Sequence, residues 1–124
     1  MAYCERHTVS VTTASNGTAT YYTPHVTGRI INVIYTKTDF TNGVVFTITT
    51  EDTLQNIWVE TAVDASKTCA PRQATHSTVG VASVYNDDGD EPVEDYIWAV
   101  DERIKIVISA GGATKTGTID VLIG

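Results

Sequence analysis

The stretch Gly28 to Val63, GRIINVIYTKTDFTNGVVFTITTEDTLQNIWVETAV, decides the fold. Arg29 to Lys37 is β-branched and aromatic, and Val44 to Thr50 alternates Val44, Phe46 and Ile48 against Val45, Thr47 and Thr49. Asn42-Gly43 lies between them and supplies the positive φ angles that a hairpin turn requires. A third strand, Ile57 to Val63, sets Ile57, Val59, Thr61 and Val63 against Trp58, Glu60 and Ala62, and is reached through the polar turn Glu51 to Asn56. The expectation is three consecutive antiparallel strands joined as a meander. Arg29 to Tyr35 is apolar on both faces, with Ile31, Val33 and Tyr35 on one and Ile30, Asn32 and Ile34 on the other. Such a strand is covered twice, by a second sheet or by a neighbouring subunit.

Outward from this stretch, Thr8 to Thr13 and Thr18 to Thr23 flank a second Asn-Gly pair, Asn16-Gly17, and read as a peripheral hairpin ended by Pro24, which has no N–H for a ladder. Residues 1–7 read as a flexible arm. Asp64 to Ser77 has no hydrophobic stripe and reads as a long surface loop, a kind of segment that usually contacts something. Thr78 to Tyr85 is a short element, either strand or helical turn. Tyr96 to Val100, Arg103 to Ser109 and Thr116 to Ile123 return to strand periodicity; the last sets Ile119, Val121 and Ile123 against Thr118, Asp120 and Leu122. About eight strands and no amphipathic helix predict an all-β chain, an antiparallel β-sandwich or jelly-roll-like arrangement.

At 124 residues, with 42% of them hydrophobic, the chain forms a single domain with its own core. Eight Lys and Arg against fifteen Asp and Glu leave a net charge of −7, which repels phosphates and argues against nucleic-acid binding. The start, Met1 to His7, has no basic then apolar pattern, and no segment has the length of a membrane span, so the expectation is an intact cytosolic product without a membrane role. In that compartment Cys4 and Cys69 are expected as reduced thiols, the alternative being one bridge.

Asp87 to Glu102 holds eight of the fifteen acids: Asp87, Asp88, Asp90, Glu91, Glu94, Asp95, Asp101 and Glu102. An EF-hand placed on Gly89 fails, because its first ligand falls on Val84 and its last on Asp95. A calcium site of another kind, from Asp87, Asp88, Asp90 and Glu91, is the functional alternative to a solvated loop. His7, His25 and His76 stand apart in sequence, and no nucleophile or metalloprotease motif is present, so neither a cofactor nor catalysis is expected. Trp58, Trp98 and the tyrosines fit buried sandwich packing; a sugar-stacking platform is the alternative.

Several phrases together suggest a family. Thr27-Gly28-Arg29-Ile30-Ile31, Ala65-Ser66-Lys67 with Ala70-Pro71-Arg72, Asp101 to Val107, and Gly111 to Thr118 resemble small structural proteins of tailed bacteriophages, and among these capsid decoration, or cement, proteins. The chain departs from the best-known cement proteins in lacking their Ala/Pro-rich arm. The resemblance implies a virion protein assembled in the host cytoplasm that reinforces the shell through contacts with the major capsid protein lattice and with copies of itself, often as a homotrimer. A tail or neck component and a small carbohydrate-binding β-sandwich are the alternatives. The irregular segments supply the candidate interface residues: Tyr3, Glu5 and Arg6 from the first, Lys67, Pro71 and Arg72 from the loop after Val63.

Overall fold

The computed structural model describes residues 4–84 and 93–124; Tyr3 and the acids Asp87, Asp88, Asp90 and Glu91, with the calcium reading that rests on them, lie outside that range. Within it the alternating stretches become ten strands: β1 (Glu5–Thr12), β2 (Ala19–Tyr22), β3 (Val26–Lys37), β4 (Val44–Thr50), β5 (Asn56–Val63), β6 (Lys67–Cys69), β7 (Arg72–Ala74), β8 (Glu94–Glu102), β9 (Ile104–Ser109) and β10 (Thr116–Ile123). They form two antiparallel sheets. Sheet A runs β1-β10-β3-β8-β7, with β6 also paired to β3, and sheet B runs β2-β9-β4-β5. The chain is an all-β sandwich, as its periodicity predicts.

Each sheet turns one side chain in two toward the other. Val44, Phe46 and Ile48 of β4, Ile104, Ile106 and Ile108 of β9, and Ile119, Val121 and Ile123 of β10 are buried, and the residues between them are half-exposed. Each such side chain contributes about 1.5–3 kcal/mol by leaving water. An aromatic run crosses the centre, Tyr35 stacking on Phe40 at 6.1 Å and meeting Phe46 edge-on at 4.6 Å, with Phe46 edge-on to Trp58 at 5.2 Å.

Several expectations are corrected here. The meander Gly28 to Val63 is split: β3 belongs to sheet A, while β4 and β5 form a hairpin in sheet B. Thr8 to Thr23 is likewise no hairpin, since β1 pairs with β10 and β2 with β9. Both Asn-Gly pairs sit in loops that carry the chain from one sheet to the other, over the ~10 Å that separates packed sheets. Nor is that segment peripheral, because Val11, Thr13 and Thr23 are buried. The arm is shorter than expected, since Glu5, Arg6 and His7 already pair with β10. Within Asp64 to Ser77 lie the short strands β6 and β7, too brief to show periodicity. Register shifts account for the misassigned faces. One between Leu122 and Ile123 turns Ile30 rather than Ile31 inward, and two along β5 bury Trp58 at 7% exposure while leaving Val59 at 54%.

Candidate functional site

The face of sheet A that looks away from the core is where chemistry-bearing side chains collect. On β8, Ile97 and Ala99 point inward, so Tyr96, Trp98 and Val100 point outward. Trp98 is 51% exposed and Val100 67%, an unusual placement for an indole in a domain with a formed core. Cross-strand pairing brings Arg72 of β7 beside Tyr96 and Arg29 of β3 beside Trp98. The Arg72 guanidinium carbon lies 4.0 Å from the Tyr96 ring centroid and that of Arg29 lies 5.0 Å from it, so the phenol is held between two cations. Each such contact is worth about 0.5–1 kcal/mol at an exposed site.

Backbone carbonyls fix both guanidiniums. Arg72 donates to Pro71 O at 2.6 Å and to Ile31 O at 3.4 Å, and Arg29 Nε donates to Gly124 O at 3.2 Å. The ion pairs among the described residues, His7 with Glu5, Lys67 with Glu60 and Arg103 with Glu51, include neither of them. Glu94, two places before Tyr96 on the same strand, puts a carboxylate at the margin. A cationic and aromatic ladder on a chain of net charge −7 is a local reversal of sign.

The far end of β8 is pinned from within. Asp101 takes a left-handed φ of 49°, and the next side chain, Glu102, enters the sandwich at 2% exposure. Its Oε1 accepts from Asp52 N at 3.0 Å and Thr53 N at 3.1 Å, and Thr53 Oγ1 donates to Oε2 at 3.0 Å. Burial alone would raise the Glu102 carboxyl, but the Thr53 and Asp52 amides outweigh it and hold it below the usual carboxylate range. Gln55, from the same turn, donates to Trp98 O at 3.4 Å. Beside that turn Glu51 is lowered by its hydrogen bonds from Arg103, whose guanidinium lies 4.1 Å from the Tyr22 ring centroid. The β4–β5 turn therefore holds the strand that carries Trp98 and Val100.

The predicted interface residues do not form one patch. Pro71 is buried and Arg72 belongs to the ladder. Lys67 instead reaches across the sandwich to Glu60 of β5, and the Glu60 carboxyl is lowered chiefly by that hydrogen bond. Glu5 and Arg6 sit on β1, at the opposite edge of sheet A, where Glu5 meets His7 Nε2 at 3.1 Å. Arg29 and Val100 go unmarked in the sequence reading, and Tyr96 and Trp98 enter it only through the sugar-platform alternative, not as interface residues. Their signal was the alternation of Trp98 and Val100 against Ile97 and Ala99. Buried packing describes Trp58, whose Nε1 donates to Glu60 at 2.8 Å, but not Trp98. The two indoles lie on different faces and build no common platform.

Cys4 is an exposed free thiol; Cys69 is a half-buried one, raised by burial. Among the described residues no pocket is present, and no three His, Cys, Asp or Glu side chains gather into a metal-binding group. None of the helices that would cross a membrane is found there either. In comparisons with known proteins, no family and no curated sequence matches the chain.

Proposed function

We propose that the chain is a virion structural protein that decorates and stabilises a capsid shell by protein–protein contact, docking on the major capsid protein lattice with the outer face of β7, β8 and β3. The observation that carries this reading is Trp98, half exposed on a rigid strand and flanked by Val100 and the Arg72–Tyr96–Arg29 ladder. Tryptophan, tyrosine and arginine are the residues that dominate protein interfaces, because each removes a large area from water at little entropic cost or makes planar ionic contacts. A flat face without a pocket suits a lattice better than a small substrate. The resemblance to decoration proteins supplies the lattice as the partner, and the role proposed is a non-catalytic one.

The test is addition of purified protein to undecorated capsids, with binding measured by co-sedimentation. Trp98→Ala is expected to weaken binding at least about tenfold, the scale of a central interface anchor, and Arg72→Ala somewhat less. Trp98 is outside the core, so the variant's melting temperature should stay near the wild-type value. Unchanged shell binding by Trp98→Ala would refute the assignment of this face. A carbohydrate-binding role is the second reading that an exposed indole favours, and saturable binding in a glycan screen, lost in Trp98→Ala, would put it first.

A further inference from the structure

Sheet A ends on one side at β1, and the backbone of that strand shows which of its groups are open. Thr13 N donates to Lys115 O at 2.8 Å, in the register that pairs Val11 with Gly117, Val9 with Ile119, His7 with Val121 and Glu5 with Ile123. In an antiparallel ladder the residues that exchange hydrogen bonds alternate with those that do not. The odd-numbered residues of β1 therefore bond to β10, and Arg6, Thr8, Ser10 and Thr12 aim N–H and C=O away from the sheet. Thr12 confirms this assignment. Its N–H donates to the Tyr21 hydroxyl at 3.3 Å, and that hydroxyl returns a hydrogen bond to Thr12 O at 3.3 Å. Tyr21 thus closes one position of the edge.

Among the described residues nothing pairs with the outward backbone groups of Arg6, Thr8 and Ser10, and these three are symmetric about Thr8. The other edges carry devices that discourage pairing: β5 has two register shifts and a left-handed Ala62, β2 is four residues long and is soon followed by Pro24, and β6 and β7 are three residues each on either side of Pro71. β1 carries no proline and no register shift along its eight residues.

We propose that β1 is a self-pairing edge: two copies of the chain join antiparallel about a two-fold axis at Thr8, making one continuous sheet. In that register Thr8 faces Thr8 of the second copy and exchanges two hydrogen bonds with it, and Arg6 faces Ser10 on either side of the axis. All open N–H and C=O groups of the three residues on both copies are then used. A register shifted toward Thr12 must displace Tyr21, and one shifted toward Glu5 leaves Ser10 open. The isologous interface follows from a two-fold axis perpendicular to the sheet, which keeps the core-facing side chains His7 and Val9 next to each other. This inference stands on the backbone of β1 and does not need the shell-binding reading.

Proline substitution separates the pairing from the fold. Thr8 gives no N–H to β10, so Thr8→Pro removes only an outward donor and is of the kind that edge strands tolerate. Sedimentation velocity over a wide concentration range, at physiological salt to screen repulsion between two acidic chains, is expected to show a reversible dimer for wild type. Thr8→Pro should raise its dissociation constant at least about tenfold while leaving the melting temperature near wild type. Should that variant misfold, Ser10→Pro gives the same reading from the next open amide. Amide hydrogen exchange of the wild type needs no variant: on dimer formation Arg6, Thr8 and Ser10 should gain protection, and His7, Val9 and Val11, already bonded to β10, should gain little. A wild type that is monomeric throughout, a dimer indifferent to both prolines, or a β1 edge protected only by a segment of another protein overturns the proposal. Binding of monomeric Thr8→Pro to capsids would leave the shell reading standing, so the two ideas fail separately.

Discussion

Removing the Glu102 side chain tests whether a buried carboxylate holds the end of β8. It accepts from two amides and a hydroxyl of the Glu51–Leu54 turn, whose Leu54 has a φ of 58°. Glu102→Ala leaves the Thr53 hydroxyl a partner in Thr50 Oγ1 at 2.8 Å, but strands the Asp52 and Thr53 amides. An unmet buried donor costs about 1–3 kcal/mol. Asp52 and Thr53 are themselves exposed, so water can reach part of the vacated site, and a total of about 2–3 kcal/mol is expected. For a domain of this size that is a fall in melting temperature of roughly 10 °C. Glu102→Gln keeps the Oε1 acceptor for the two amides but loses the charge and puts an NH2 donor where Oε2 accepts from the Thr53 hydroxyl, together about 1–2 kcal/mol. The folded carboxyl titrates below its ordinary value of 4.5, so its contribution is present above about pH 4.5 and is lost as pH falls through the folded value. The wild-type advantage over Glu102→Gln should accordingly be full at pH 7 and shrink on acidification. Thermal unfolding of the three proteins across that range decides the matter. Equal melting temperatures at pH 7, or a gap to the Gln variant that persists in acid, would refute the reasoning.

Tyr35 is buried, its hydroxyl has no hydrogen-bond partner among the described residues, and burial pushes its phenol up to about 12. Tyr35→Phe should therefore stabilise the protein by about 1 kcal/mol, since it removes an unmet polar group and keeps the ring contacts with Phe40 and Phe46, and denaturant unfolding will register the sign. Gly117 lies under Phe40, and a Cβ there would sit 2.5 Å from the Phe40 ring. Gly117→Ala should cost about 2 kcal/mol by overpacking, and the double variant with Phe40→Leu should recover part of it, a coupling that a double-mutant cycle measures.

The strands were legible because period-two alternation is a local property, and β4, β9 and β10 keep it without interruption. Which sheet each strand joins was not. An Asn-Gly pair announces a backbone reversal, but the same positive φ serves a tight hairpin and a loop that crosses a sandwich, so β1, β2 and β3 were each given the wrong neighbour. The faces of β3 and β5 were misread for a related reason. A bulge adds one residue to one strand and inverts the alternation beyond it, and nothing in Ile30-Ile31 or Trp58-Val59 marks where that residue sits. The candidate site suffered most. Arg72 stands out by its irregular surroundings and does lie on the ladder, but the residues that complete it come from β3 and β8, which are adjacent only after the sheet has formed. Trp98 was legible as outward-facing from Ile97 and Ala99; the general tendency of tryptophan to be buried outweighed that alternation.

The two proposals bear on each other through geometry. A two-fold axis perpendicular to sheet A maps its outer face onto itself, so the Trp98 ladders of a β1-joined pair point the same way. In sheet A the path from β8 to β1 passes β3 and β10, and the same path continues in the second copy. The two β8 strands are then seven steps of about 4.8 Å apart, roughly 34 Å, less whatever the sheet twist takes up. A repeating lattice with sites at that spacing would engage both ladders at once, and the second contact would form at a high effective concentration set by a rigid sheet rather than a flexible linker. Shell binding by wild type should then be tighter than that of Thr8→Pro by about 10²-fold or more, even though Thr8 touches no ladder residue. A ratio near one, with wild type shown to be dimeric, would mean that the pair engages the lattice through one ladder only, and that the spacing of the sites does not match the span of the joined sheet.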